Sequence, residues 1–285
     1  MKNKINVKIL VCCHKKDTWK SDDVYMPIHV GKALSNEELY IQGDDEGDNI
    51  SIKNKSYCEL SGLYWAWKNL KDVNYIGLCH YRRYFDFHNK INLFKNLEIV
   101  SPDHFDTLNL TVPDIDKLFG KSDIILAKPN VYPYSLRVDY CYSHLSKDIS
   151  VIESIVGELY PDYLNSFKKI MYENNKLSHY NMFIMKWRDF ENYCTWLFNI
   201  LEKAEERIDI TNYDPVQKRI LGYIAERLLN VYVKERKMKI RYLPVFWVTD
   251  TRKDISAIRS FLARLKRQLS FLFQKRWLPC SSTIC

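Results

Sequence analysis

A chain of 285 residues with 46% apolar side chains can bury a sizeable core as one large or two modest domains. Only eight glycines and nine prolines exclude a collagen-like or low-complexity architecture, and the 14% of aromatic residues suits a packed enzyme with a sugar- or base-sized cleft. The net charge of +8 is uneven: residues 251–285 hold eight basic residues against Asp254 alone, a local +7 that leaves the preceding body near +1.

At the N-terminus, basic residues precede an apolar run, Ile9 to Cys13, that is too short for a secretory signal and lacks a small-residue cleavage site. The longest apolar stretches, such as Val245 to Val248, fall far short of the ~18–20 residues of a spanning helix. The eight cysteines contain no Cys-x-x-Cys pair. They read as buried thiols in a reducing cytoplasm rather than as a disulfide framework or zinc site.

Asn6 to Cys13 is rich in β-branched and apolar residues and runs into the polar His14-Lys15-Lys16-Asp17, which predicts a buried first strand with polar groups at its carboxyl end. Open α/β sheets bind ligands at that end. Leu60, Leu63, Trp67 and Leu70 form a helical stripe, with Glu59, Gly62 and Ala66 on a slim neighbouring face that permits close backbone approach. Asn74 to Cys79 predicts a second strand ending in His80-Tyr81-Arg82-Arg83-Tyr84-Phe85, and Asp123 to Ala127 a third ending in Lys128. The stretch from about Asn89 to Pro113 reads as a long surface insertion. Phe190, Tyr193, Leu197 and Leu201 mark another amphipathic helix, and Asp214-Pro215-Val216-Gln217 is a strong start signal for a helix through about Lys234. Alternating strands and helices predict an α/β fold with a mainly parallel sheet.

Residues 251–285 differ in kind. Ile255, Ile258, Phe261, Leu262, Leu265, Leu269, Leu272 and Phe273 fall within about a third of a helical wheel, with Arg264, Arg267 and Lys275 opposite. This basic amphipathic helix is expected to lie on anionic lipid; the alternative is a terminal helix docked on its own domain.

Two adjacent arginines after a buried strand are an odd choice for a solvated loop, and their forked donors match phosphate oxygens. Continued strand alternation would point His80, Arg82 and Tyr84 one way and Tyr81, Arg83 and Phe85 the other; both arginines pairing with the acidic stretch below is the competing reading. That stretch, Gly43-Asp44-Asp45-Glu46-Gly47-Asp48, could serve a divalent cation, sugar hydroxyls or simply a solvated turn. Arg219, Gly222, Glu226 and Asn230 share one helix face, where Glu226 beside Arg227 and near Arg219 is either a general base or an ion-pair partner. His14 and Lys15 could neutralise phosphate. No Walker loop, glycine triplet or nucleophile elbow is present.

Cys13-His14-Lys15, Tyr25 to Gly31, Gly43 to Ser51, Glu59 to Asn69, Ile76 to Phe85, Tyr180 to Met185 and Arg219 to Leu229 together resemble a bacterial family long catalogued as a domain of unknown function, whose members sit among capsular and exopolysaccharide synthesis enzymes. The resemblance spans roughly residues 7–248. It implies a glycosyltransferase of the GT-A-like, Rossmann-like class, with some relatives regarded as galactofuranosyltransferases, and Asn181 looks like the asparagine that builds the sugar pocket. The usual Asp-X-Asp metal triplet is not found at the end of a mid-sheet strand, where His80-Tyr81-Arg82-Arg83 stands instead, so either Asp44 and Asp45 hold Mn²⁺ or Mg²⁺ from another loop or the arginines neutralise the diphosphate themselves.

The expectation is thus a GT-A-like domain over residues 1–250 and a membrane-surface tail over 251–285, on the cytoplasmic face of the cell membrane. The chain would move a hexose, galactofuranose among the candidates, from a UDP-sugar to a lipid-linked oligosaccharide. Asp44, Asp45 and Glu226 are the candidate bases; His14, Lys15, His80, Arg82, Arg83, Asn181, Arg219 and Arg227 are the candidate donor-binding residues. A non-catalytic nucleotide-sugar-binding module and a nucleic-acid-binding protein are the rivals, the latter weakened by the near-neutral body.

Overall fold

The computed structural model describes residues 5–88, 95–252 and 255–277. Strand β1 (Val7–Cys13) occupies the middle of the main sheet, flanked by β2 (Tyr25–His29) and β4 (Tyr75–His80), both parallel to it. The short β3 (Gln42–Gly43) extends the sheet beyond β2. Between β3 and β4 the chain forms α1 (Asn54–Tyr57) and α2 (Leu60–Asn69). On the other side of β4 the order continues through β10 (Phe183–Lys186), β7 (Ile124–Ala127) and β11 (Ile240–Leu243). Strands β7 and β11 are parallel, whereas β10 runs antiparallel to both of its neighbours. The sheet is mainly parallel, as the strand and helix alternation predicts.

Alternation along β1 divides the interior into two cores. Leu10 and Cys12 point into the larger one, beneath α2, α4 (Leu136–Ser143), α5 (Ser146–Leu159), α6 (Pro161–Glu173), α7 (Trp187–Arg207) and α8 (Ile220–Glu235). Ile9, Val11 and Cys13 point into the smaller one, with β5 (Arg83–Phe85), β12 (Val245–Val248) and α3 (Ile115–Phe119). Gly62 packs α2 onto β2: a Cβ there would stand 2.7 Å from Val30 Cγ1, so the slim face does what its composition implies. The Asp214 carboxylate caps the amides of Val216 and Gln217 at 2.7 and 2.9 Å, and regular α-helix begins at Ile220 after one tighter turn.

One expectation changes. The region read as a surface insertion is stitched into the fold beyond residue 94: β6 (Leu97–Val100) pairs parallel with β12, and Phe105 and Leu110 are buried in the smaller core. Its short strand and isolated apolar anchors carry too little periodicity to betray this. Residues 89–94 lie outside the described residues, as do Lys253, Asp254, Cys280 and Cys285. Cys12, Cys13, Cys79 and Cys194 are buried, as expected, while Cys58 and Cys141 are half-buried, and none of these six described cysteines is in a disulfide. No helix among the described residues is long and apolar enough to cross a membrane.

Candidate active site

A cleft of about 1270 Å³ opens at the carboxyl ends of the parallel strands, lined by His14 after β1 and His80 at the end of β4. Because β10 runs the other way, the segment leading into it, His179-Tyr180-Asn181, reaches the same edge. Tyr180 and Asn181 both adopt left-handed backbone conformations, with φ of 71° and 52°, a costly pair for non-glycine residues.

Their partners hold that turn. Glu226 of α8 accepts from the Tyr180 amide at 2.8 Å and from His179 Nδ1 at 3.3 Å, and the Tyr132 hydroxyl completes the line at 2.6 Å from His179 Nε2. The Tyr180 carbonyl pairs with His80 Nε2 at 2.7 Å. The Asn181 amide donates to Glu59 Oε1 at 2.6 Å and to the Gly222 carbonyl at 3.2 Å. A left-handed Cys58, φ 53°, breaks α1 from α2 and leaves Glu59 at the start of α2, lining the cleft.

Two carboxylates in one cleft are driven apart in acidity. Burial lifts Glu59 to about 6, outweighing the hydrogen bond from Asn181, and the negative charge of Glu226 adds to the rise. Burial pushes Glu226 in the same direction, yet the hydrogen bond and charge of His179, the Arg227 charge and the Tyr180 amide bring it down to about 2. The split leaves Glu59 able to exchange a proton near neutrality while Glu226 stays an anion. Burial, reinforced by the Arg83 charge, lowers His80 to about 4, so its neutral ring donates Nε2–H to the Tyr180 carbonyl. His14 is likewise lowered, by burial and by the charge of Lys15.

The two arginines part company because the chain does not extend β4 as strand alternation predicts. His80 pairs with Arg83 across a two-residue turn at Tyr81 and Arg82, so β5 folds back antiparallel. Arg82 forms an ion pair with Asp17 at 2.6 Å, a partner outside the acidic stretch. Arg83 stacks on Tyr180 and on Trp247, with its guanidinium carbon 4.4 and 4.9 Å from the ring centres. Its Nε is buried without a hydrogen-bond partner among the described residues. Arg219 is exposed at the cleft, its Nε donating to Cys58 Sγ at 3.4 Å. Neither Arg83 nor Arg219 has an ion pair among the described residues.

The remaining expected residues fall into place unevenly. Arg227 borders the cleft but is buried in pairs with Asp139 at 3.1 Å and Glu226 at 3.3 Å. Lys15 is exposed beside His14 and does not line the cleft. Asp44 is fully buried away from the lining, its oxygens accepting from the Gly31 and Lys32 amides at 2.8 and 3.0 Å and from the Ser51 hydroxyl. Asp45 also lies outside the lining. A divalent cation does not fit this donor set: the Asp44 oxygens are committed to protein donors, and no group of three metal-ligating side chains occurs among the described residues. Glu59, His179 and Trp247 are absent from the sequence-based candidates. The signal for Glu59 is an acid on the slim, core-facing side of a helix.

Residues 8–237 match the family described as "Domain of unknown function (DUF4422)". The solved "WbbM bifunctional glycosytransferase apo structure" superimposes with a TM-score of 0.76 at 32% identity, over 86% of this chain and 46% of that one, so the chain spans about half the length of that protein. No curated protein matches. Sheet order, flanking helices and this likeness establish a GT-A-like fold, and the extent of the family match establishes that the chain belongs to the DUF4422 family.

Proposed function

We propose that the chain is a glycosyltransferase that moves a hexose from a UDP-sugar to a lipid-linked oligosaccharide in capsular or exopolysaccharide synthesis, with galactofuranose the sugar the sequence resemblance favours. The observation that carries this reading is the cleft itself: a carboxyl raised to about 6 stands in the same pocket as the Arg83 and Arg219 guanidinium groups, which hold no ion pair among the described residues. Likeness to a solved bifunctional glycosyltransferase supports the same class of chemistry.

In this reading Glu59 accepts the proton of the acceptor hydroxyl as its oxygen bonds to the anomeric carbon, while the bond from that carbon to the diphosphate oxygen breaks and the configuration inverts. Negative charge gathers on the departing UDP, and Arg83 and Arg219 stabilise it, with Lys218 at the same rim. Asn181 and Glu226 shape the pocket, Asn181 by aligning Glu59 and Glu226 by holding the Tyr180 turn. Tyr132 and Trp247 offer aromatic faces for the sugar or base. UDP release measured across a panel of UDP-hexoses, with and without acceptor, tests this: one donor should release UDP in the parent and far more slowly in Glu59→Gln. Release by no donor, or equal release by both proteins, would refute the assignment.

A further inference from the structure

Helix α9 (Ala257–Trp277) docks on the protein with the face that composition would place outward. Arg264 donates to Asn96 Oδ1, Arg267 reaches the Val131 carbonyl at 3.5 Å, and Phe271 is buried. Positions 264, 267 and 271 define one helical side, packed against β8 (Asn130–Val131). The apolar stripe lies on the other. Ile258 is 73% exposed, Leu262 55%, Leu265 44%, Leu269 58% and Leu272 52%. A terminal helix that merely completed its own core would bury these leucines and leave its arginines in water.

We propose that this stripe is an interfacial surface that lies on an anionic lipid bilayer. Charge selects the occupant. Arg259 and Lys266 are exposed along one border of the stripe, and Ala257–Trp277 contains no acidic residue. Two copies packed stripe to stripe would bring cation against cation, whereas anionic headgroups complement the border as acyl chains receive the leucines. The helix cannot instead span the bilayer, since its apolar residues form only a stripe. Its docking site is next to the cleft: Val131, which receives Arg267, precedes Tyr132 in the lining. A lipid-linked acceptor would therefore be presented beside the site; this last point rests on the glycosyltransferase reading, while the surface itself does not.

Sedimentation of the full chain with phosphatidylcholine vesicles, with and without 40 mol% phosphatidylglycerol, tests the surface without any sugar donor, so it stands or falls apart from the catalytic assignment. Binding is expected to the anionic vesicles, to weaken with salt, and to fall roughly tenfold or more in Leu262→Glu/Leu269→Glu. Arg259→Glu/Lys266→Glu, which leaves every stripe residue in place, should weaken binding and flatten its salt dependence. Unchanged binding in both variants, at unchanged circular dichroism, would overturn the proposal. So would light scattering that shows a parent dimer which Leu262→Glu/Leu269→Glu splits into monomers, because a second copy would then cover the stripe.

Discussion

The side-chain amide of Asn181 donates to the Glu59 carboxylate at 2.6 Å, joining the start of α2 to the turn before β10 across 122 residues of sequence. Glu59→Gln keeps the shape of this contact and removes the proton acceptor. Turnover should drop by ~10²–10⁴, the range for loss of a general base. In the parent, the rate should climb with pH through a limb near 6, where Glu59 ionises, and the limb should be missing from residual activity of the variant. UDP release between pH 5 and 8 reads both effects.

The same two carboxylates should move stability in opposite directions. Glu59 is raised in the folded state, so between its ordinary range and about 6 the fold binds the extra proton; stability declines as pH climbs through that window, and the penalty is complete above it. Glu226 is depressed to about 2, so its stabilisation is complete above the ordinary carboxylate range and is lost as pH falls toward 2. At pH 7.5, Glu59→Gln is expected to raise the melting temperature and Glu226→Gln to lower it. Shifts of the same sign would contradict the electrostatic division of the cleft.

Arg219→Ala should lower kcat/KM by ~10²–10³, by analogy with removal of an oxyanion-stabilising donor, and should leave the melting temperature almost unchanged because the residue is exposed. Arg83→Ala should match it in activity and also loosen the Tyr180 and Trp247 rings it stacks on. Arg82→Ala, which breaks the pair with Asp17, should act mainly through the stability of the β4–β5 hairpin. Donor titrations beside thermal melts separate the three.

Asp44→Asn is expected to cost ~1–3 kcal/mol in chemical denaturation, since a carboxylate serving two amides and a hydroxyl is replaced by a group with one fewer acceptor oxygen. Turnover per folded molecule should be retained, and a chelator should leave the rate of the parent unchanged. Abolished turnover in a folded Asp44→Asn protein, or full loss in chelator, would restore the acidic loop to the chemistry.

Gly77 lies mid-strand in β4, where an added Cβ would stand 2.9 Å from both Ile184 Cγ1 and the Phe183 carbonyl oxygen of β10. Backbone cannot step aside as a flexible side chain can. Gly77→Ala should therefore destabilise the protein by roughly 1–3 kcal/mol, read as a lower denaturant midpoint.

Strands β1, β4 and β7 and helices α2, α7 and α8 are legible in the sequence because their apolar residues recur with the right period and, for α8, behind an Asp-Pro start. The reversal at Tyr81-Arg82 is hidden: it contains no glycine, asparagine or proline, so nothing in the local pattern interrupts the alternation. Glu59 escapes notice for a different reason. A sequence motif shows that it sits on a narrow helix face, but only the folded chain brings Asn181 and Glu226 near enough to set its acidity. The tail is half legible. Its stripe follows from a wheel, while the side that docks depends on Asn96 and the Val131 carbonyl, which no local pattern links to it.

Consecutive left-handed residues at Tyr180 and Asn181 resemble a latch held shut from outside. Their backbone strain is offset by Glu226 on one residue and Glu59 on the other, so the turn has its own acid sensitivity, separate from that of the sheet. Toward pH 2, as Glu226 takes up its proton, the Tyr180 amide should begin to exchange with solvent while amides within β4 stay protected. The pocket would come undone first, with the scaffold around it still standing.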